Sequence, residues 1–145
     1  MTYFDWTAIG SMATAGAVLI AAWQLRRATS QARTNLEDDF SREYRTVVRS
    51  IPVKALLGDE LEEEEFEEAF VGLYQYIDLT NEQVFLRMHG RISKTTWINW
   101  CDGIKTNLNR PAFAKAWGRI KVRSNESFTE LRELESTGFS ADPKQ

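Results

Sequence analysis

A run of 20 residues without a charged side chain, from Trp6 to Leu25, constrains this chain more than any other feature of its sequence. As a helix rising roughly 1.5 Å per residue, the run is about 30 Å long, which matches the hydrocarbon thickness of a bilayer. Trp6 and Trp23 stand near its two ends, where indole rings favour the headgroup level of the membrane. We therefore predict a transmembrane helix over residues 6–25.

The charges beside this run predict its orientation. Residues 1–5 form a short flank without Lys or Arg, whereas Arg26 and Arg27 directly follow the run. Because cytoplasmic flanks of membrane helices collect basic residues, we expect the N-terminus outside and the following chain in the cytoplasm of a bacterial-type inner membrane. Together Trp6, Trp23, Arg26 and Arg27 form the predicted membrane anchor, and membrane lipid is the first expected partner.

Two other structures are compatible with the same run. A cleaved signal peptide would begin with a basic region, which residues 1–5 lack. A buried helix of a soluble bundle would suit the moderate hydrophobicity that Thr7, Ser11, Thr14 and Gln24 give to the segment. Length, absence of charge and the flanking residues together favour the membrane helix.

Small residues recur along the run at helical spacing, and the set is Gly10, Ala13, Ala17 and Ala21. Such spacing lets two helices approach closely within a bilayer, so this face predicts helix–helix packing and a homo-oligomer. Alanine is also common in weakly apolar helices, and the spacing then has no functional meaning.

The chain beyond the run has the periodicity of helices. No Pro or Gly interrupts residues 26–51, which predicts a juxtamembrane helix that extends into the following domain. Its apolar residues recur at steps of three and four, as an amphipathic helix requires. They are Leu36, Phe40, Tyr44, Val47 and Val48.

We predict an all-α fold, in which the transmembrane helix continues into a cytoplasmic bundle of about five further short helices. The helical domain covers residues 52–135, and the polar segment 136–145 is predicted to be a disordered tail. The expected helices are residues 59–79, residues 81–89 capped by Thr80 with Gln83, one capped by Ser93, one beginning near Pro111, and residues 125–135.

Three segments together carry a family resemblance: the uncharged run, its arginine-flanked continuation over residues 24–33, and the aromatic-rich stretches FVGLYQYIDL and WINWCDGI. The pattern is similar to a family of small bacterial and phage-associated single-pass membrane proteins with a helical domain of unknown function. The resemblance covers nearly the whole chain. It implies a topology and a helical fold but no activity, because no catalytic signature defines that family.

The charged residues fall into two blocks. Residues 59–82 contain ten Asp and Glu and no Lys or Arg, whereas residues 86–123 contain nine Lys and Arg against Asp102 alone. The blocks form either two solvated helix faces that partly face each other within the domain, or surfaces that meet between subunits and steer association.

From these blocks we predict two partner-binding surfaces. The acidic surface consists of Asp59, Glu62, Glu63, Glu64 and Glu67. The basic surface consists of Arg110, Lys115, Arg119, Lys121 and Arg123. The expected partner is an unidentified protein or a second copy of this chain.

Composition argues against several other functions. The net charge of −3 argues against nucleic acid as a partner. With one His and one Cys, the chain lacks the ligands of a usual zinc site, and no metal or cofactor is expected. It contains no GxSxG, HExxH or phosphate-binding glycine loop, so we predict no enzyme activity.

The sequence thus predicts a membrane-tethered helical interaction or scaffold protein, which binds a protein partner or itself through charged helix faces. The alternative is an effector that oligomerises and perturbs the membrane, as stress or phage-defence proteins do. The weak hydrophobicity of residues 6–25 and their small-residue face motivate this alternative.

Overall fold

The computed structural model describes the backbone of residues 6–144 and the side chains of residues 16–144. Six α-helices form this part of the chain, which contains no strand, so the predicted all-α fold is confirmed. The helices are α1 Trp6–Val48, α2 Val53–Leu57, α3 Glu63–Met88, α4 Lys94–Leu108, α5 Pro111–Arg123 and α6 Thr129–Ser136.

The chain divides into two units, Met1–Leu36 and Glu37–Gln145. In the first unit, the side chains of residues 17–35 on α1 are all exposed. Over the described residues, no helix is long and apolar enough to cross a membrane. The transmembrane helix over residues 6–25 stays a prediction, and the side chains of residues 6–15 lie outside the described part of the chain.

The last turns of α1 belong to the second unit, where their predicted apolar stripe is partly buried. Phe40, Val47 and Val48 are half-buried, whereas Tyr44 stays at the exposed edge of the stripe. The Glu37 carboxylate accepts hydrogen bonds from the backbone N–H of Ser93 and the hydroxyl of Thr96, both 2.7 Å long. Glu37 thereby ties α1 to the start of α4.

Helix α3 is the centre of the second unit and packs on both α5 and α6. Its side chains Phe66, Leu73 and Ile77 are fully buried, together with Phe113 of α5 and Leu131 of α6. Burial of each such side chain stabilises the fold by about 1.5–3 kcal/mol relative to an exposed position. The core therefore lies along one side of α3.

The sequence predicted two helices where the structure has one, because α3 runs through Thr80 without a break. The Thr80 hydroxyl does not cap a helix but donates to the Tyr76 carbonyl oxygen one turn earlier, at 2.8 Å. With no Gly or Pro nearby, burial of Leu79 and Val84 on either side keeps the backbone helical. The true capping box lies at the start of α3, between Glu62 and Glu65.

Two predicted helix starts agree with the structure, and a third is displaced. Ser93 accepts a hydrogen bond from the Thr96 backbone as the cap of α4, and Pro111 is the first residue of α5. Helix α6 begins at Thr129 rather than near residue 125, because Phe128 adopts a left-handed conformation with φ of 61°. This strained backbone keeps the Phe128 ring buried against Trp117, at a centroid distance of 6.0 Å.

The segment after α6, which the sequence predicted to be disordered, makes a specific contact with α3. Both carboxylate oxygens of Asp142 accept hydrogen bonds from the Arg87 guanidinium, which also donates to the Ile92 carbonyl oxygen at 2.8 Å. The Arg87 side chain is only 6% exposed. A buried guanidinium requires a counter-charge, and Asp142 supplies it from the tail.

Candidate functional site

The acidic and basic surfaces meet within the chain, along the contact between α3 and α5. Glu63 forms an ion pair with Lys115, and Glu67 forms one with Arg119. The four residues are each members of a predicted partner-binding surface. The interpretation that the two blocks partly face each other inside the domain accounts for these pairs.

Aromatic rings of α3 complete the same contact. The Lys115 ammonium lies 4.1 Å from the ring centroid of Phe66, and the Arg119 guanidinium lies 4.4 Å from that of Phe70. Each cation is thus held by a carboxylate and by a ring face from the same helix. The charged atoms remain partly exposed, so each ion pair contributes at most about 1 kcal/mol.

Three further members of the predicted surfaces are engaged within the second unit. Lys121 pairs with Glu135 of α6, with nitrogen–oxygen distances of 2.9 and 3.0 Å. Arg110 donates to the Asn107 side chain at 2.6 Å, and Glu62 takes part in the capping box of α3. These contacts stabilise the domain and lower the number of charges open to a partner.

The members that remain open lie mostly on the acidic side. Within the described part of the chain, Asp59 and Glu64 form no ion pair, and their neighbours Glu60 and Glu68 are in the same condition. All four carboxylates are exposed. Arg123 is the matching exposed member of the basic surface, without an ion pair among residues 16–144.

The part of the predicted anchor that the structure describes has an unusual distribution of apolar side chains. Val18, Leu19 and Ile20 are consecutive, and each is more than half exposed, with Leu19 at 71%. Successive helical residues point about 100° apart, so these side chains cover several directions around α1. The Arg27 guanidinium lies 5.4 Å from the ring centroid of Trp23, whereas Trp6, Gly10 and Ala13 lie outside the described side chains.

A cavity of about 360 Å³ opens in the second unit between the last turns of α1, α3 and α4. Its walls contain two aromatic pairs. The rings of Phe40 and Trp100 are 5.9 Å apart between centroids, and those of Tyr44 and Tyr76 are 6.2 Å apart. A cavity of this volume is within the range of small-molecule sites.

Polar groups in the cavity wall differ in whether they already have partners. The Asn107 amide donates to the Tyr76 hydroxyl at 2.8 Å and accepts from Arg110, so both of its ends are occupied. Burial raises the pKa of Tyr76 to about 12, which keeps the phenol neutral at physiological pH. The Gln83 side chain is 6% exposed and forms no hydrogen bond with the described residues, and the fully buried unpartnered polar atoms of these residues comprise Trp117 Nε1 alone.

Sequence reasoning missed Gln83 because it assigned this residue to a helix cap. A different signal was available on α3, where Tyr76, Thr80, Gln83 and Arg87 recur at steps of four and three. These polar residues share one helix face that the structure buries. Polar side chains at the spacing of a buried stripe indicate either internal hydrogen bonds or a ligand.

The described part of the chain contains no metal centre, and its one thiol, Cys101, is half-buried. No group of three or more His, Cys, Asp or Glu side chains lies there in a geometry that holds a metal ion. Burial raises the pKa of the Cys101 thiol, whose sulfur lies 3.6 Å from the Phe139 carbonyl oxygen. A raised pKa disfavours the nucleophilic thiolate.

Comparison of the chain with protein-family models, with curated proteins and with solved structures gave no match. Three features of the molecule bear on its function: the exposed apolar residues of α1, the open carboxylates near the start of α3, and the cavity.

Proposed function

We propose that this chain is a membrane-tethered helical interaction protein, anchored by residues 6–25 and without enzymatic activity. The exposure of the three consecutive apolar residues Val18, Leu19 and Ile20, which point in different directions around α1, carries this proposal. A helix that packs in a soluble bundle keeps its apolar residues on one stripe, whereas a helix apolar on all sides suits hydrocarbon. The uncharged run that continues to Trp6 supplies the length that a bilayer requires.

The flanking residues support an orientation with the second unit in the cytoplasm. Arg26 and Arg27 directly follow the uncharged run, and Trp23 lies within 5.4 Å of the Arg27 guanidinium. Indole and guanidinium groups are both favoured at the headgroup level, and basic residues collect on the cytoplasmic side. The proposed membrane is the inner membrane of a bacterial cell.

The partner surface that we propose is the exposed part of the acidic surface. Asp59 and Glu64, extended by Glu60 and Glu68, place four exposed carboxylates near the start of α3. Glu63 and Glu67 are already paired with bases of α5, so they hold the domain together rather than recruit a partner. A protein with a basic patch fits the open carboxylates.

Fractionation of cells that express the chain with a C-terminal tag tests the anchor. Resistance to alkaline carbonate, together with protection of the tag from protease in intact cells, is the result expected of a span with its N-terminus outside. Release of the chain by carbonate would refute the proposed anchor.

Charge reversal tests the partner surface. Replacement of Asp59, Glu60, Glu64 and Glu68 by Lys is expected to abolish partner capture by crosslinking without loss of helicity. The matched control exchanges a pair that is satisfied internally, as Glu63→Lys with Lys115→Glu, and leaves capture unchanged. Equal capture by both variants would exclude this surface.

A second candidate function rests on the small residues of α1. The described members Ala17 and Ala21 are exposed, and a methyl group added at Gly16 would meet nothing within 4 Å. Close self-association through this face would produce an oligomer that perturbs the bilayer. Overexpression would then depolarise cells, and Ala17→Leu would relieve the effect.

A further inference from the structure

We propose that the cavity between α1, α3 and α4 binds a free nucleobase or nucleoside, and that the Gln83 side chain recognises its hydrogen-bonding edge. The relevant ligand is a planar nitrogen heterocycle with a hydrogen-bond donor and an acceptor side by side. Three features of the cavity support this ligand: the unpartnered amide of a buried side chain, two aromatic pairs and the charge of the cavity wall.

Gln83 offers an open amide to the cavity. Its side chain lines the cavity, is 6% exposed and forms no hydrogen bond with the described residues, and its amide atoms are not among the fully buried unpartnered atoms, so they open to the cavity. Thr80, one turn earlier on α3, satisfies its hydroxyl through the Tyr76 carbonyl oxygen at 2.8 Å. The Gln83 amide is therefore available to a ligand that has a matching hydrogen-bonding edge.

The chemistry of a carboxamide defines the complementary ligand edge. Gln83 presents one acceptor oxygen and one donor NH₂ group, which together match the adjacent donor and acceptor of a nucleobase. Asn107 is not available for the same role, because Tyr76 and Arg110 occupy both ends of its amide. Gln83 is therefore the buried carboxamide of the wall with an open edge, whereas Asn99, which also lines the cavity, is exposed.

The shape of the cavity favours a planar aromatic ligand of limited size. The aromatic residues Phe40, Trp100, Tyr44 and Tyr76 line the cavity, and aromatic side chains are the groups on which a heterocycle stacks. The volume of about 360 Å³ lies at the low end of the usual range for small-molecule sites. This volume suits a single base or nucleoside.

The charge of the cavity wall further restricts the class of ligand. Among the described lining residues, Arg45 alone is charged, and its side chain is exposed. The Tyr76 phenol stays neutral, since burial raises its pKa to about 12. Without a carboxylate in the wall, a cationic ligand has no counter-charge, so a neutral heterocycle is favoured over a protonated one.

Calorimetric titration of the full chain in a mild detergent with adenosine, guanosine, cytidine and uridine tests the proposal. We expect at least one nucleoside to bind, and Gln83→Leu to weaken that binding about tenfold or more. Gln75→Leu is the matched control, because Gln75 lies exposed on the same helix outside the cavity wall. It is expected to bind as the unsubstituted chain does.

Two further measurements separate recognition from a purely structural role. Gln83→Leu is expected to melt at the same or a higher temperature than the unsubstituted chain, because it breaks no hydrogen bond within the described residues and places an apolar side chain at a buried position. The ¹⁵N-detected side-chain amide signal of Gln83 is expected to shift on ligand addition. Gln83→Met, an unbranched replacement, provides the same binding test if the Leu variant does not fold.

A parallel titration with a single-stranded oligonucleotide distinguishes a free nucleoside from a base within a nucleic acid. Free nucleoside is expected to bind at least as tightly as the oligonucleotide does on a per-base basis. Tighter binding of the oligonucleotide would overturn the proposal of a free ligand. Absence of saturation by every nucleoside at about 1 mM, or equal binding by Gln83→Leu, would overturn the site itself.

Discussion

Helices α1 and α3 are the two longest described helices, with 43 and 26 residues, yet their apolar side chains lie in opposite environments. Helix α3 buries one face, which includes Phe66, Leu73 and Ile77, while its opposite face is exposed. On the described N-terminal part of α1, Leu19 and Ile20 are exposed although they are equally apolar. The distribution of apolar residues around a helix, rather than their number, thus decides what the helix buries.

The largest effect is expected where charge enters the uncharged run. On the proposed anchor, Leu19→Arg combined with Ile20→Arg should release the chain from the membrane fraction, because each Arg in a span is unfavourable, by up to about 2.5–3.5 kcal/mol at the centre and by less toward the end where these residues lie. Val122→Arg on α5, where Val122 is 84% exposed, is the matched control and should leave partitioning unchanged. If the double variant stayed in the membrane fraction after carbonate extraction, the proposed difference between α1 and α3 in what their apolar residues contact would be wrong.

A large-to-small pair compares the two helices directly. Leu73→Ala in α3 should lower the free energy of unfolding by about 2–5 kcal/mol, since Leu73 is fully buried and its loss leaves a cavity. Leu25→Ala in α1, where the side chain is 70% exposed, should change it by less than about 0.5 kcal/mol. Urea unfolding of the full chain in detergent measures both values, and equal losses would contradict the difference in burial.

The contact of the tail with α3 predicts a pH-dependent contribution to stability. Hydrogen bonding to Arg87 holds the pKa of Asp142 below its ordinary value of 3.8. The contact is therefore fully present above about pH 4 and is lost as the pH falls through the lowered pKa, where the carboxylate becomes protonated. Asp142→Ala should cost about 2 kcal/mol near neutral pH.

Urea unfolding at a series of pH values checks this prediction. The difference between the unsubstituted chain and Asp142→Ala should shrink as the pH falls below about 4. Asp102→Ala provides the control, because Asp102 is exposed and forms no ion pair within the described residues. A difference that does not change with pH would assign the contact to packing alone.

The smallest effects are expected at two helical glycines. A methyl group at Gly72 of α3 would lie 2.6 Å from the Ser50 hydroxyl oxygen, so Gly72→Ala should destabilise the chain by about 1–3 kcal/mol. At Gly118 of α5 the same group meets nothing within 4 Å, and Gly118→Ala should stabilise it by about 0.5–1 kcal/mol. Shifts of opposite sign in thermal melts test the pair, and shifts of one sign would exclude the proposed crowding at Gly72.

Local signals in the sequence predicted the helical class and several helix starts. Ser93 and Pro111 succeeded because capping and fixed φ act over a single turn. Thr80 failed because its local capping pattern competes with tertiary burial along α3, and burial prevailed. Asp142 was missed because a contact across 55 residues leaves no local pattern in either segment.

The candidate sites also differ in how much of each the sequence predicted. The charge blocks predicted Glu63 and Lys115 as members of functional surfaces. The two residues pair with each other because of the register of α3 against α5. That register follows from packing, which leaves no local pattern in the sequence. The cavity required knowledge of three helices at once, so neither Gln83 nor Trp100 could be placed there from spacing. The transmembrane interpretation of residues 6–25 still rests on sequence and on exposure in α1.

The Glu37 carboxylate, which receives both Ser93 and Thr96, has a consequence for the order of folding. The first turn of α4 is completed by a group 56 residues earlier in the chain, so it cannot reach full stability through local interactions. Closing a loop of that length is slow compared with forming a helical turn. We expect amide protection at the start of α4 to develop only after the last turns of α1 have docked, even though the rest of α4 is already helical.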